Sequence, residues 1–174
     1  SSDALTINVL LAAETYPMMN VAEAENTPTY ATVCGNLNES EISGMALKLS
    51  SQGDLRFSFG STSNYVLTIQ GNKKLECGKW NMVTVVLDKA NNTGVMYLNG
   101  EQIGTCRMSR AGVKHSTADF YIGKDASEKK TDVFLINTFC GLIDDITIYN
   151  KVLTAGEVVA LMPSGMNTSR PDFA

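Results

Sequence analysis

The stretch FCGLIDDITIYNKVLT, residues 139–154, decides the fold class of this chain. Its first half is apolar apart from two carboxylates, which predicts a β-strand, and Gly141 near the start is typical of a strand with a bulge. Thr154 and Glu157 match a capping box, which predicts a short helix that Pro163 ends. This order of elements belongs to few folds, so the stretch indicates a class of domain more firmly than a ligand.

The two carboxylates of this strand are adjacent, at Asp144 and Asp145. Strand alternation sends neighbouring side chains to opposite faces, so the pair is not predicted to form a catalytic site. Ile146 and Ile148 predict that their own face is the core face, which places Asp144 at its edge if the strand is regular; a bulge at Gly141 would shift the parity and leaves open which Asp points inward. A carboxylate there needs hydrogen bonds or a cation. Two alternatives stay open: a carboxylate that accepts backbone N–H groups, and a structural Ca²⁺ ligand.

Alternation of apolar and polar residues predicts strands over most of the remaining chain. Four segments combine an apolar inner face with a polar outer face: residues 5–11, 45–49, 55–59 and 65–69. Residues 80–87 and 95–98 are apolar on both parities, which predicts central strands covered on both sides. Ser51–Gly53 and Asn99–Gly100 predict hairpin turns. Two shorter strands are predicted at residues 118–123 and 133–136. The pattern predicts an all-β, antiparallel two-sheet sandwich with one short C-terminal helix.

Length and charge exclude several classes of protein. With 174 residues, the chain is predicted to form one domain over residues 1–162, followed by a tail or linker at 163–174. A net charge of −4 argues against nucleic acid as a partner. No apolar run approaches the roughly 20 residues that span a bilayer.

The cysteines and sequons favour an extracellular or cell-surface location. Four cysteines are too scattered for a zinc site and leave three disulfide pairings, or none, open: Cys34, Cys77, Cys106 and Cys140. Three N-x-S/T sequons, at Asn38, Asn91 and Asn167, suit a secreted protein.

Four motifs, in order, resemble the laminin-G-like branch of the concanavalin A-like lectin/glucanase superfamily. They are GKWNMVTVVLD at 78–88, GVMYLNG at 94–100, FYIG at 120–123, and the closing stretch at 139–154 with Glu157. The resemblance covers mainly residues 78–161. It implies a jelly-roll sandwich that binds glycans or protein ligands, often attached to glycoside hydrolases or surface proteins, with calcium commonly bound. The family usually opens with a strand of the form A-x-x-F-x-G, which does not precede Leu5 here.

Sugar binding requires an aromatic platform and polar groups for the hydroxyls. Tyr16 and Tyr30, which flank the long first loop, are candidate platforms, and Tyr65 beside Asn64 is another. An outward row could form a polar, glycan-facing surface or an ordinary solvated face: Lys48, Arg56, Ser58, Thr68 and Gln70. A basic group around the loop at 109–117 could bind an acidic sugar or sulfate: Arg107, Arg110, Lys114 and His115. Trp80 and Tyr97 are expected in the core.

The sequence therefore predicts a non-catalytic, lectin-like carbohydrate-binding module, part of a larger extracellular glycoside hydrolase or surface protein, with a glycan and other domains of that protein as partners. The alternative is a protein-binding adhesion domain of laminin-G type. An active glucanase would need a Glu-x-Asp-x-x-Glu cluster, which the sequence lacks. His115 lies far in sequence from any nucleophile motif and is not expected to act as a catalytic base.

Overall fold

The computed structural model describes residues 3–18, 28–108, 110, 112–125, 138–166 and 169–173. Within them the chain forms two five-stranded antiparallel sheets that pack face to face, with one short helix. The first sheet has the order β10-β1-β6-β7-β8, and the second has the order β5-β4-β3-β2-β9. The predicted all-β two-sheet sandwich with one C-terminal helix is confirmed.

The elements have the following bounds. The first sheet contains β1 (Ala4–Ala13), β6 (Asn81–Asp88), β7 (Thr93–Leu98), β8 (Glu101–Arg107) and β10 (Gly141–Tyr149). The second contains β2 (Tyr30–Gly35), β3 (Met45–Ser50), β4 (Asp54–Gly60), β5 (Val66–Lys74) and β9 (Tyr121–Ile122). The helix α1 is Ala155–Ala160.

The main core lies between the sheets and is built from the inward side chains of alternating strands. Phe57 and Phe59 of β4 lie at its centre, with ring centroids 6.0 Å apart. A second cluster covers the outer face of the first sheet, where Val158 of α1 packs with Met82, Val86 and Tyr97. The strand β6 is therefore buried on both sides, as its unbroken apolar run predicts. Within the described part of the chain, no helix is long and apolar enough to cross a membrane.

Turn chemistry fixes the register of two hairpins. Asn99 and Gly100 both have positive φ, at 52° and 79°, as a two-residue type I′ turn between β7 and β8 requires. Gly53, at φ 86°, closes the turn between β3 and β4. Both hairpins lie where the sequence predicts them.

Several strands differ from the prediction. The segment 118–123 contributes only the two residues of β9, and the segment 133–136 lies outside the described residues. The strands β2 and β8 were not among the predicted segments.

All four cysteines are free thiols, so the structure has none of the three disulfide pairings. Burial raises the pKa of the Cys34 thiol to about 12.

A bulge in β10 changes which residues before it share the core face with Ile146 and Ile148. The pairing with β1 shifts between Asn8 and Leu10, and Asp145 has a φ of 45°. Ile143, paired with Leu11, and Ile146 pack against the main core, and Ile148, paired with the core residue Ile7, lies on the same face although it is 52% exposed. Asp144 pairs with Leu10 of the outer cluster and therefore lies on the opposite face. The prediction that Asp144 lies at the edge of this face is therefore wrong, whereas Ile146 and Ile148 do share it.

The predicted capping box is present at the start of α1. The Thr154 hydroxyl accepts a hydrogen bond from the Glu157 amide at 3.2 Å, and the Glu157 carboxylate accepts one from the Thr154 amide at 2.8 Å. Lys151 Nζ donates to the same carboxylate at 2.5 Å. The hydrogen bond from Lys151, followed by those from Thr154, lowers the pKa of Glu157 from 4.5 to about 2.

Replacing Glu157 by Gln should therefore change the acid sensitivity of the fold. A carboxylate whose pKa is lowered by folding stabilises the folded state above its ordinary pKa of 4.5, and this contribution disappears as the pH falls to about 2. We expect Glu157→Gln to be less stable than the wild type at neutral pH, with the difference vanishing near pH 2. Urea unfolding at a series of pH values measures this, and a difference that does not vary with pH would contradict it.

Candidate functional site

A polar row crosses the outer face of the second sheet. The register places Thr32 of β2 opposite Lys48 of β3, Lys48 opposite Arg56 of β4, and Arg56 opposite Gln70 of β5. Their sequence neighbours, such as Leu47, are buried in the core, so alternation turns these four side chains away from it. We call Thr32, Lys48, Arg56 and Gln70 the polar row.

A second row beside it carries only short side chains. Gly35, Ala46, Ser58 and Thr68 pair in this order across β2, β3, β4 and β5. Gly35 is required there because a Cβ atom would lie 2.3 Å from the Met45 carbonyl oxygen. Tyr121 of β9 pairs with Gly35 and ends the row, with Lys124 Nζ 5.0 Å from its ring centroid. Gly35, Ala46 and Ser58 of this row are buried and Thr68 is exposed, so the accessible part of the row lies at Thr68 on β5.

Arg56 is the most distinctive member of the polar row. Its guanidinium carbon lies 4.2 Å from the centroid of the Tyr30 ring, and its Nε donates to Gln70 Oε1 at 3.0 Å. Gln70 Nε2 in turn donates to the Leu55 carbonyl at 3.4 Å. Among the described residues, no carboxylate lies within ion-pair distance of Arg56. The guanidinium is thus oriented by a ring and an amide while its charge has no protein counterion there.

Lys48 has the opposite environment. Its Nζ lies 3.6 Å from Asp125 Oδ2 and 3.7 Å from Glu39 Oε1. Asp125 Oδ2 also accepts a hydrogen bond from the Thr32 hydroxyl at 2.9 Å. The side chains of Lys48 and Asp125 are each only 18% exposed. The positive charge of Lys48 is therefore balanced within the protein, in contrast to that of Arg56.

Two of the predicted site residues, Tyr30 and Arg56, are brought together on this face, whereas Tyr16 is placed elsewhere. The Tyr16 hydroxyl donates to the Leu75 carbonyl at 2.6 Å, and its ring fills the space beside Gly53. Burial raises the pKa of Tyr16. In the structure Tyr16 packs against the main core, so its use as a sugar platform stays a prediction.

Three of the other predicted residues, Asn64, Tyr65 and His115, lie at one end of the sandwich. Asn64, at φ 58°, and Tyr65, 38% exposed, form the turn between β4 and β5, and Lys114 Nζ donates to Asn64 Oδ1 at 3.5 Å. His115, next along the chain, is exposed. Arg110 lies instead beside the turn between β6 and β7, where its amide donates to Asn92 Oδ1. The predicted residues therefore form separate groups rather than one site.

Asp144 and Asp145, the predicted calcium ligands, are both exposed. Asp144 Oδ1 accepts the Asp145 amide at 2.8 Å, which is the backbone alternative that the sequence left open. Calcium takes about six to eight oxygens, and two carboxylates fill only part of such a shell. Within the described ranges, no three His, Cys, Asp or Glu side chains gather as for a metal. These residues do not by themselves form a complete calcium site.

Three contributors to the face were not predicted from the sequence: Thr32, Asp125 and Tyr121. Thr32 lies on a strand that was not predicted, and its alternation with Ala31 and Val33 is the signal that could have shown its direction. Asp125 is 93 residues from Thr32 in sequence, so no local pattern indicates their hydrogen bond.

Comparison with known proteins agrees with this architecture. The sequence model of the Laminin_G_3 family, described as concanavalin A-like lectin/glucanases superfamily, matches residues 19–159. No curated protein matches the chain in sequence.

Three solved structures illustrate the fold similarity. The CBM40 domain of the IT-sialidase of Ruminococcus gnavus, bound to α2,3 sialyllactose, superposes with a TM-score of 0.68 at 16% identity, covering 92% of this chain and 83% of that one. A putative carbohydrate binding protein from Bacteroides ovatus gives 0.64 at 17% identity, covering 90% and 40%. The heptameric SAP-like pentraxin of Limulus polyphemus gives 0.60 at 16% identity, covering 91% and 69%.

The family model spans most of the chain, and the order of strands and helix that the closing stretch predicts is present. The chain belongs to the concanavalin A-like lectin/glucanases superfamily.

Proposed function

We propose that the protein is a non-catalytic carbohydrate-binding module, and that it binds glycans on the outer face of its second sheet. The observation that carries the proposal is the environment of Arg56. Arg56 is stacked on Tyr30 and oriented by Gln70, and it has no carboxylate partner among the described residues. Its guanidinium is therefore already held in place for a ligand. Neighbouring superfamily structures include a module bound to a sialylated sugar.

The chemistry of the face suits a glycan with an acidic group. The terminal nitrogens of a guanidinium form a planar fork that matches a carboxylate or sulfate. The exposed Thr68 hydroxyl, which the buried Ser58 hydroxyl orients at 3.0 Å, and the exposed Gln70 amide can exchange hydrogen bonds with sugar hydroxyls. Tyr121 adds an aromatic ring for an apolar sugar face. The acidic group would lie at Arg56 and the rest of the sugar over the row of short side chains.

The context of the module is part of the same proposal. We place it outside the cell, attached to a glycoside hydrolase or a surface protein, where it would raise the local concentration of substrate. A structural Ca²⁺ at Asp144 and Asp145 would need further oxygen ligands, and its role would be rigidity rather than contact with the sugar.

A glycan array with purified protein, followed by titration of the best ligand, tests the proposal. We expect acidic glycans to bind above background and Arg56→Ala to weaken binding about 10- to 100-fold, because a hydrogen bond to a charged group contributes roughly 1.5–3 kcal/mol. Arg170→Ala, the same chemical change at an exposed residue of the tail, is the matched control and should leave affinity unchanged. Arg56→Lys should recover only part of the affinity, since lysine lacks the planar fork.

The outcomes separate the alternatives. Absence of sugar binding together with a defined protein partner would support the adhesion domain instead. Hydrolysis of a glycan by the purified chain would contradict the non-catalytic assignment. Repeating the titration with a chelator tests calcium: unchanged melting temperature and affinity would exclude a role for the ion at Asp144 and Asp145.

A further inference from the structure

A groove of about 570 Å³ lies on the opposite side of the molecule from the polar row, at the outer face of the first sheet. We call it the β7–β8 groove. Its lining comes from the turn before β7, from β7 and from β8: Asn91, Asn92, Thr93, Val95, Thr105, Cys106 and Arg107. The groove is open to solvent rather than enclosed, so a ligand there would stay partly exposed.

Register and packing show which side chains face the groove. Val95 packs against the cluster that covers the outer face of the first sheet. Thr105 is paired directly with Val95, and Arg107 directly with Thr93, so all four side chains belong to this face. They combine one apolar side chain, two hydroxyls and one cation.

The turn that borders the groove is held by its own hydrogen bonds. Asn92, at φ 61°, accepts the Met108 amide at its carbonyl and the Arg110 amide at Oδ1. The Asn91 side chain donates to Asp88 Oδ2 at 2.7 Å, and its backbone amide donates to Asp88 Oδ1 at 3.0 Å. This wall is thus ordered before any ligand binds, which lowers the entropy cost of binding.

Charge indicates the class of ligand. Arg107 is exposed and, among the described residues, has no carboxylate within ion-pair distance. The nearby Asp88 carboxylate accepts backbone and side-chain hydrogen bonds from Asn91, which lower the pKa of Asp88 and keep it ionised, so the cations at this turn must outweigh its negative charge. Arg110 adds a second exposed cation at the same turn. Arginine with flanking hydroxyls and amides is the donor set that binds oxyanions.

We infer that the β7–β8 groove is a second binding site, for the sulfate or carboxylate group of an anionic saccharide, with Arg107 as the principal contact. Thr93 and Thr105 donate to the remaining oxygens, and Val95 contacts the apolar part of the sugar. The site is independent of the polar row, because the two lie on the outer faces of different sheets.

The test uses the Arg56→Ala variant, in which the polar row is weakened, so that binding at the β7–β8 groove is measured separately. The variant is titrated with a heparin-derived tetrasaccharide, and binding is followed by NMR amide shifts. We expect saturable shifts at Thr93 and Thr105, a loss of affinity of at least about 10-fold in Arg56→Ala/Arg107→Ala, and little binding of the desulfated tetrasaccharide. Lys89→Ala is the control for charge alone, since Lys89 lies at the same end of the sheet but pairs with Asp3 at 2.6 Å.

Three results would overturn the inference. They are equal weakening by Arg107→Ala and Lys89→Ala, equal binding of sulfated and desulfated probes, and shifts confined to β3 and β4. Glycan binding that is lost in Arg56→Ala while the heparin probe still shifts Thr105 would support both sites. Glycan binding that is lost in Arg56→Ala with no shift at Thr105 would support only the first.

Discussion

Replacing Gly60 by alanine should lower the free energy of unfolding by about 3 kcal/mol. A Cβ atom on Gly60 would lie 2.2 Å from the Ile42 carbonyl oxygen and 2.5 Å from the Ser43 amide nitrogen. Both are backbone atoms, so a side-chain rotation cannot relieve the contact. Gly60 also donates to the Gly44 carbonyl at 2.9 Å and accepts the Lys114 amide at 2.8 Å, which ties three segments together at this end of the sandwich. Urea unfolding of the purified variant measures the loss.

Two other glycines supply matched controls for the same chemical change. Gly78 has a φ of 72° but nothing within 4 Å of its Cβ position, so Gly78→Ala should cost only about 1–2 kcal/mol of backbone strain. Gly156, in α1, also has open space, and alanine there should stabilise by about 0.5–1 kcal/mol. If all three variants lost equal stability, the effect at Gly60 would not come from close backbone approach.

The sequence predicts the fold well wherever the relevant signal is local. The Asn99–Gly100 turn, the Thr154–Glu157 capping box and the unbroken apolar run of β6 each depend on neighbouring residues, and all three are confirmed. The strand β2 was missed because its inward residues, Ala31 and Val33, are small and give little contrast with its outward ones. The face of Asp144 on β10 was mispredicted because the bulge at Asp145 shifts the parity by one residue, and the position of that bulge depends on pairing with β1 rather than on composition.

The candidate site, like the fold, was predicted where the signal is local and missed where it depends on residues distant in sequence. Alternation along β3, β4 and β5 turns Lys48, Arg56 and Gln70 outward, as predicted. The feature that distinguishes Arg56 from Lys48 is long-range, because Asp125 and Glu39 neutralise the lysine and Tyr30 stacks on the arginine. Alternation predicts on which face of a sheet a charged side chain lies, but it does not predict the residue that neutralises the charge. That counterion decides whether the charge is available to a ligand.

Replacing Phe57 by alanine should lower the free energy of unfolding by about 3–5 kcal/mol, the largest loss that we expect. Phe57 is 1% exposed and packs beside Phe59 at the centre of the main core, so truncation leaves a cavity that surrounding strands cannot close without breaking register. Ile148→Ala, at a 52% exposed position of β10, removes a smaller apolar group and should cost less than about 1 kcal/mol.

The Phe57→Ala variant also distinguishes loss of stability from loss of glycan binding. Phe57 is the next residue after Arg56 on β4 and points to the opposite face. If the polar row binds the glycan, the folded fraction of Phe57→Ala at low temperature should bind nearly as tightly as the wild type, whereas Arg56→Ala should bind weakly yet unfold at nearly the wild-type urea concentration. Binding titrations of both variants, with the folded fraction measured by circular dichroism, test this double contrast. If Arg56→Ala bound the glycan as tightly as the wild type, Arg56 would be removed from the site.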